Sequence, residues 1–75
     1  MNIKVLGGGC RNCETLLKAA KEAVESKGIE AEVEYITDME KIMQYGIMSM
    51  PALMIDDKLV SAGKVLKAKD IEKML

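Results

Sequence analysis

A run of three glycines at residues 7–9 divides a strand-like segment from a helical one, and this change of pattern constrains the fold most. Residues 2–6 are mostly apolar and predict a short buried strand. Residues 10–27 predict a helix, because apolar side chains recur at helical spacing and oppositely charged pairs occupy the other face. Gly28 follows, where a helix commonly ends on a left-handed residue. The apolar positions of this helix are Cys13, Leu16, Leu17, Ala20 and Val24.

A second strand is predicted directly after this helix. Residues 29–35 alternate between apolar side chains and Glu30, Glu32 and Glu34, which is the period of a strand with one exposed face. The glutamates favour an edge position, where charge discourages pairing with other chains. Because a strand, a helix and a second strand in one sheet require a right-handed crossover, the two strands are predicted to be parallel.

A short helix is predicted next. Residues 37–40 match a capping box, which is a sequence signature of a helix start. Met39, Ile42 and Met43 are expected to face the core, and Gly46 is expected to end the helix.

The last third of the chain predicts a β-hairpin and a final helix. The hairpin covers residues 52–62, with a tight turn at residues 56–58 and a break at Gly63. Residues 67–75 predict the helix. The order of elements is therefore βαβαββα, a small α/β sandwich in one domain over residues 1–75 with helices on both faces of the sheet. The apolar contacts of the final helix are expected from Leu66, Ile71, Met74 and Leu75.

Cys10 and Cys13 are the only cysteines, and they are separated by two residues at the start of the first helix. The unpaired backbone N–H groups and the positive end of the helix dipole favour a thiolate there. Both disulfide exchange and soft-metal binding require a thiolate. Cys13 lies on the apolar stripe and is expected to be buried, whereas Cys10 is expected to be accessible. We therefore predict Cys10 as the attacking thiol and Cys13 as the resolving thiol.

Composition excludes several other functions. The net charge of −1 and the absence of a basic patch argue against nucleic-acid binding, and Tyr35 and Tyr45 are too few aromatic residues for base stacking. The chain contains no histidine, which excludes Ser-His-Asp and Cys-His catalytic sets. No stretch reaches the roughly 18 apolar residues of a membrane span. The strand-like start carries no secretory signal, so a cytoplasmic location is predicted.

The chain resembles the thioredoxin/glutaredoxin superfamily, and most closely the short thioredoxin-like redox-active disulfide proteins of archaea and bacteria. The resemblance covers essentially the whole chain. It is carried by Cys10-Arg11-Asn12-Cys13 after the first strand, Ser49-Met50-Pro51 before the third, and residues 55–60 with Gly63 in the hairpin. It implies a mixed four-stranded sheet of order 2-1-3-4 in which the hairpin strands are antiparallel.

The resemblance also implies a substrate site beside the thiols. The Met50–Pro51 bond is expected to be cis and to face the cysteines, so that the backbone before Pro51 pairs with an incoming substrate strand. Met48 and Met50 would rim the thiols as adaptable apolar surface, although Met48 could instead be a core residue. Arg11 would favour the thiolate, or would simply be a solvated helix residue. The expected substrate-binding residues are Arg11, Asn12, Met48, Ser49, Met50 and Pro51.

Three departures from the superfamily pattern are visible. Arg11-Asn12 replaces the more usual Gly-Pro or Pro-Tyr between the cysteines. The first strand carries Lys4 where many thioredoxins have a buried acid. The residues at 62–64 do not favour glutathione binding, because acidic residues are expected after the hairpin for that purpose.

The predicted function is thiol–disulfide oxidoreduction. Cys10 would attack a substrate disulfide and Cys13 would resolve the mixed disulfide. The expected partners are disulfide-containing proteins and an electron donor like thioredoxin reductase, with the chain acting as a monomer and without a metal or a cofactor beyond the Cys10–Cys13 disulfide.

The sequence is compatible with two alternative functions. The cysteine pair could carry Cu(I), a soft ion for which two thiolates suffice. Heavy-metal-associated domains have the order βαββαβ, however, which differs from the order predicted here. The chain could also be a non-catalytic interaction module with inert thiols.

Overall fold

The computed structural model describes residues 1–9 and 11–75, and Cys10 lies outside the described residues. The elements follow the predicted order βαβαββα, which differs from that of heavy-metal-associated domains. Their bounds are β1 Asn2–Leu6, α1 Arg11–Lys27, β2 Glu32–Ile36, α2 Met39–Gln44, β3 Ala52–Ile55, β4 Lys58–Ala62 and α3 Ala68–Glu72.

The four strands form one mixed sheet of order β2-β1-β3-β4, as expected. β1 is parallel to β2 and antiparallel to β3, and β3 is antiparallel to β4. Leu6, the last residue of β1, pairs with Ile36 on one side and with Ala52 on the other. The C-terminal end of β1 and the beginning of β3 therefore lie at the same end of the sheet, and the candidate functional site is at this end.

Helices cover both faces of the sheet, as predicted. The two faces are separated by strand alternation: Ile3 and Val5 of β1 face α1 and α3, whereas Leu6 faces α2. The buried cluster under α1 and α3 consists of Ile3, Val5, Leu16, Ala19, Ala20, Ala23, Leu53, Ile55 and Ile71. The cluster under α2 consists of Leu6, Ile36, Ile42, Ile47, Ala52 and Met54.

The long helix α1 keeps its apolar stripe against the sheet. Leu16 and Ala20 are fully buried, and Ala19 and Ala23 widen the buried face beyond the predicted positions. Gly28 has φ 62° and ends the helix in the left-handed conformation, as predicted.

The short helix α2 differs from expectation in two respects. Its N-cap is Asp38, whose side chain accepts a hydrogen bond of 3.0 Å from the Glu40 backbone N–H, so the capping box from residue 37 does not form. Met39 and Met43 are 48% and 72% exposed, and the prediction that they face the core is wrong. A six-residue helix spans less than two turns and buries one position here, Ile42.

The hairpin turn contains two residues. Asp56 and Asp57 have φ 49° and 65°, which matches a type I′ turn, and Lys58 begins β4 instead of completing the turn as predicted. A type I′ turn has the twist that continues directly into paired strands. Gly63, at φ 75°, follows the last residue of β4.

The final helix α3 is shorter than predicted. Ile71 is fully buried, but Met74 is 41% exposed, which corrects its predicted place in the core. The backbone N–H groups of Met74 and Leu75 bond three residues back, so the last turn is tighter than an α-helix and does not extend the α3 face.

Candidate functional site

The site lies at the end of the sheet where β1 ends and β3 begins. Gly7 follows the Leu6–Ala52 pair on one strand, and Pro51 precedes it on the other. The Gly63 backbone N–H donates to the Pro51 carbonyl oxygen over 2.9 Å, which joins the end of β4 to the same region. Sheet topology thus brings together segments that are far apart in the sequence.

Cys13 is buried at the first turn of α1, as its position on the apolar stripe predicts. Its sulfur lies directly against Gly7: a Cβ atom added to Gly7 would lie 2.2 Å from Cys13 Sγ and 2.8 Å from Cys13 Cβ. The Gly7 backbone N–H donates to the Ile36 carbonyl oxygen over 3.0 Å, so the segment beneath the sulfur is fixed to β2. The start of α1 is thereby packed onto the end of the sheet.

The other residues of the cysteine motif lie on the outside of α1. Arg11 and Asn12 are exposed. Thr15 Oγ1 donates to the Arg11 carbonyl oxygen over 2.9 Å. Cys10 is outside the described residues, so its predicted role as the attacking thiol remains a prediction.

The loop before β3 has the conformation that the resemblance implies. The Met50–Pro51 bond is cis, and Pro51 is buried. Met48 is 97% exposed and Met50 40% exposed, so the alternative that Met48 is a core residue is wrong. A Cβ atom on Gly63 would lie 3.1 Å from Ser49 Cβ, which places this loop against the end of β4.

By strand alternation Pro51 lies on the face that α1 covers. Leu53 and Ile55 of β3 belong to the cluster under α1, whereas Ala52 belongs to the cluster under α2. Pro51 continues the same alternation by one step beyond β3. The proline and Cys13 therefore lie at the same end and on the same side of the sheet.

Lys4 forms a polar cluster that the sequence did not predict. Its Nζ donates to Asp57 Oδ1 over 3.0 Å and to Tyr45 Oη over 3.2 Å, and lies 5.2 Å from the Tyr45 ring centroid. The hydrogen bond with Asp57, followed by that with Tyr45, raises the pKa of Lys4 above its ordinary value. The cluster ties the hairpin turn to the residue that follows α2, and Lys4 shares the α2 face with Leu6.

The sequence pattern did not identify Gly7 and Gly63 as residues of the candidate site. Neither has a side chain that could contribute to a periodic pattern. The only sequence signal was position: Gly7 stands three residues before the first cysteine, and Gly63 ends the hairpin.

Neither a metal-binding cluster nor a membrane-spanning helix is present among the residues that the structure describes. Among residues 1–9 and 11–75, no group of three or more His, Cys, Asp or Glu side chains could hold a metal ion. Within the same part of the chain, no helix has the length and apolar character of a membrane span.

Comparison with known proteins identifies the family. The sequence model of the thioredoxin domain matches residues 1–75. A thioredoxin of Methanothermobacter thermautotrophicus is 41% identical over 75 residues, which cover 100% of this chain and 97% of that protein. A thioredoxin of Methanocaldococcus jannaschii is 33% identical over 73 residues, covering 97% of this chain and 84% of that protein. The chain belongs to the thioredoxin family, which is a family of thiol–disulfide oxidoreductases.

Proposed function

We propose that the chain reduces protein disulfides by exchange between the dithiol of Cys10 and Cys13 and the disulfide of the substrate. Family membership supports the reaction class. The observation that carries the proposal is the burial of Cys13 against Gly7, at the same end of the sheet as the cis Met50–Pro51 bond. A resolving thiol needs such a protected place, because it must wait until a mixed disulfide has formed.

The proposed reaction has two exchange steps. In the first, the Cys10 thiolate attacks one sulfur of a substrate disulfide, forming a mixed disulfide and releasing the other substrate sulfur as a thiolate. In the second, Cys13 loses its proton and attacks the Cys10 sulfur. The Cys10–Cys13 bond forms, the bond to the substrate breaks, and the second substrate sulfur leaves as a thiolate that takes up a proton. The substrate is reduced by two electrons and the protein dithiol is oxidised by two.

The exposed loop beside Pro51 is the proposed substrate-binding surface. Met48, Ser49 and Met50 are all exposed next to the buried proline. Methionine side chains are flexible and polarizable, so they adapt to substrate segments of different sequence. Arg11 and Asn12 complete the surface from the start of α1.

The partners follow from the two half-reactions. Disulfide-containing proteins oxidise the Cys10–Cys13 pair, and an electron donor of the thioredoxin-reductase class returns it to the dithiol. The chain acts as a cytoplasmic monomer and uses no cofactor beyond its own cysteines. Glutathione is not favoured as donor, because Lys64 follows Gly63 where acidic residues would be needed.

Two cysteine variants test this assignment. With Cys13→Ser, the second step is blocked, and a mixed disulfide through Cys10 should accumulate and be visible by intact-protein mass spectrometry. With Cys10→Ser, reduction of a model protein disulfide should be lost. A Cys10→Ser protein that reduces disulfides at the normal rate would contradict the assignment. Anaerobic titration with Cu(I) tests metal carriage separately, since a carrier must bind the ion more tightly than micromolar.

A further inference from the structure

We propose that Gly7 is a positioning residue that sets the distance from which Cys13 attacks the mixed disulfide. This inference rests on the proposed function, because it assigns Gly7 to the resolving step of that reaction. No atom of Gly7 takes part in the chemistry. The residue acts through the sulfur that lies on it.

The contact between Gly7 and Cys13 leaves no room for a side chain. A Cβ atom on Gly7 would lie 2.2 Å from Sγ, whereas ordinary contact begins near 3.4 Å. An alanine there therefore requires a displacement of about 1 Å or more between the loop and the sulfur. Cys13 Cβ, at 2.8 Å, is also too close, so rotating the sulfur away would not by itself relieve the contact.

The loop backbone is not free to absorb this displacement. The Gly7 N–H is bonded to the Ile36 carbonyl oxygen, and Leu6 is fully buried and paired with strands on both sides. The start of α1 is the less restrained side of the contact. Arg11 and Asn12 are exposed, and the next buried residue of α1 after Cys13 is Leu16, about one turn later. We expect the methyl group to push Cys13 and the first turn of α1 away from the sheet.

Such a displacement affects the second exchange step more than the first. In that step Cys13 Sγ must approach the Cys10 sulfur in line with the bond to the substrate sulfur, and misplacement by 1 Å can reduce a rate by about 100-fold. The first step requires only that the attacking thiolate reach an external disulfide. Gly7→Ala should therefore uncouple resolution from attack.

Gly8 provides a matched control in the same loop. A Cβ atom on Gly8 would meet nothing within 4 Å, and its φ, like that of Gly7, is outside the left-handed region. Gly7→Ala and Gly8→Ala thus add the same methyl group at neighbouring positions without left-handed backbone strain. Only the first meets the sulfur.

The experiment uses the reduced full-length protein and an aromatic disulfide reagent that releases a coloured thiolate at each step. Attack releases one thiolate and leaves the reagent half bound to the protein. Resolution releases the second thiolate and closes the protein disulfide. We expect Gly8→Ala to match the wild type in both phases. Gly7→Ala should keep the first phase within about threefold and slow the second by about 10- to 100-fold. A purely structural loss of stability would leave the ratio of the two rates unchanged.

The outcomes separate this inference from the proposed function. If the wild type and Gly8→Ala fail to close the disulfide, the proposed function is wrong and the inference fails with it. If they close it and Gly7→Ala closes it equally fast, the inference alone is overturned.

A second comparison covers the case in which Gly7→Ala does not fold. Cys13→Gly removes both close contacts, so Gly7→Ala should be tolerated better in that background than in the wild type. Recovery of the folded state in the double variant, judged against Cys13→Gly alone by circular dichroism, supports the contact. Failure to recover overturns the inference.

Discussion

Replacing Gly63 with alanine tests whether the loop that carries Pro51 is held in place from the end of β4. Gly63 has φ 75°, donates to the Pro51 carbonyl oxygen, and would place a Cβ atom 3.1 Å from Ser49 Cβ. Gly46 is its matched control, since it has φ 74° and open space around the position of a Cβ atom. Both alanine variants adopt the same strained backbone, but only Gly63→Ala pushes on Ser49.

The expected loss of unfolding free energy has two sources, the strained backbone and the contact with Ser49. A non-glycine residue in the left-handed region costs about 1–2 kcal/mol, so both variants should lose about that amount of unfolding free energy. The contact with Ser49 requires a shift of a few tenths of an ångström. Because Ser49 is exposed, we expect it to add no more than about 1 kcal/mol, the low end of the cost of overpacking. Against a total stability of roughly 0.05–0.15 kcal/mol per residue, both variants should still fold.

Thermal unfolding followed by circular dichroism measures the loss of stability. Steady-state disulfide reduction measures the effect of the Ser49 contact on substrate binding. In a domain of this size, 1 kcal/mol corresponds to about 4–8 °C in Tm, so Gly46→Ala should melt roughly 4–16 °C lower than the wild type, and Gly63→Ala up to about 8 °C lower still. Displacement of the substrate loop should raise KM about fivefold for Gly63→Ala, if it removes about 1 kcal/mol of substrate binding, and leave KM unchanged for Gly46→Ala. In a Ser49→Gly background, Gly63→Ala should no longer raise KM relative to Ser49→Gly alone, whereas most of the loss in Tm should remain. Equal KM values for the two alanine variants would refute the reasoning.

Two further predictions concern the α2 face of the sheet. Ile42→Ala removes the one buried side chain of α2 and should lower the unfolding free energy, measured by urea titration, by about 2–5 kcal/mol. The neighbouring Met43→Ala should change it by less than about 0.5 kcal/mol, because Met43 is exposed. Similar losses for the two variants would contradict the described packing. The raised pKa of Lys4 means that its stabilising effect is fully present below the ordinary lysine pKa of about 10.4 and is lost as pH rises through the higher folded-state value. The difference in unfolding free energy between the wild type and Lys4→Met should therefore be constant from about pH 6 to 9 and shrink in strongly alkaline solution, and a difference that persists there unchanged would show that Lys4 acts through packing alone.

The type of an element and its place in the fold could be predicted where an apolar pattern extends over many residues. The alternation around Glu32 and Glu34 predicted an edge strand, and β2 is at the edge of the sheet. The apolar spacing from Cys13 onward predicted a long helix with Cys13 buried, because a helix of 17 residues presents several turns to the core. In both elements many residues follow the same pattern, so the prediction does not depend on any one of them.

In the short helices, helical spacing did not predict which apolar side chains are buried. Met39, Met43 and Met74 are apolar and lie at helical spacing, yet all three are exposed. α2 has six residues and α3 has five, so one side chain, Ile42 or Ile71, is enough to anchor each of them. Apolar neighbours on such a helix are not forced inward by any second turn. Their orientation depends on tertiary packing that the sequence pattern does not encode.

The inner contacts of the candidate site could not be predicted from the sequence, because glycine backbone makes them. Cys13 packs on Gly7, and Gly63 bonds to Pro51 and abuts Ser49. Glycine contributes nothing to a hydrophobic period, so these contacts become visible only when the ends of β1 and β4 are placed beside α1 and the loop before β3. Sequence spacing could suggest that these glycines matter, but not which neighbour each one accommodates.

The burial pattern at this end of the sheet separates two kinds of residue. Cys13 is buried on Gly7, which is hydrogen-bonded to Ile36 of β2. The carbonyl oxygen of the buried Pro51 accepts from Gly63 just after β4, so the positions of Cys13 and Pro51 are determined by the fold. Arg11, Met48 and Met50 are exposed around them, and Met48 is almost entirely free of contact with the rest of the chain. Under the proposed function, a change in an exposed side chain should therefore alter which substrate binds without moving the sulfur of Cys13. A change at a buried position cannot do so, because the same backbone that seats the sulfur also closes the end of the sheet.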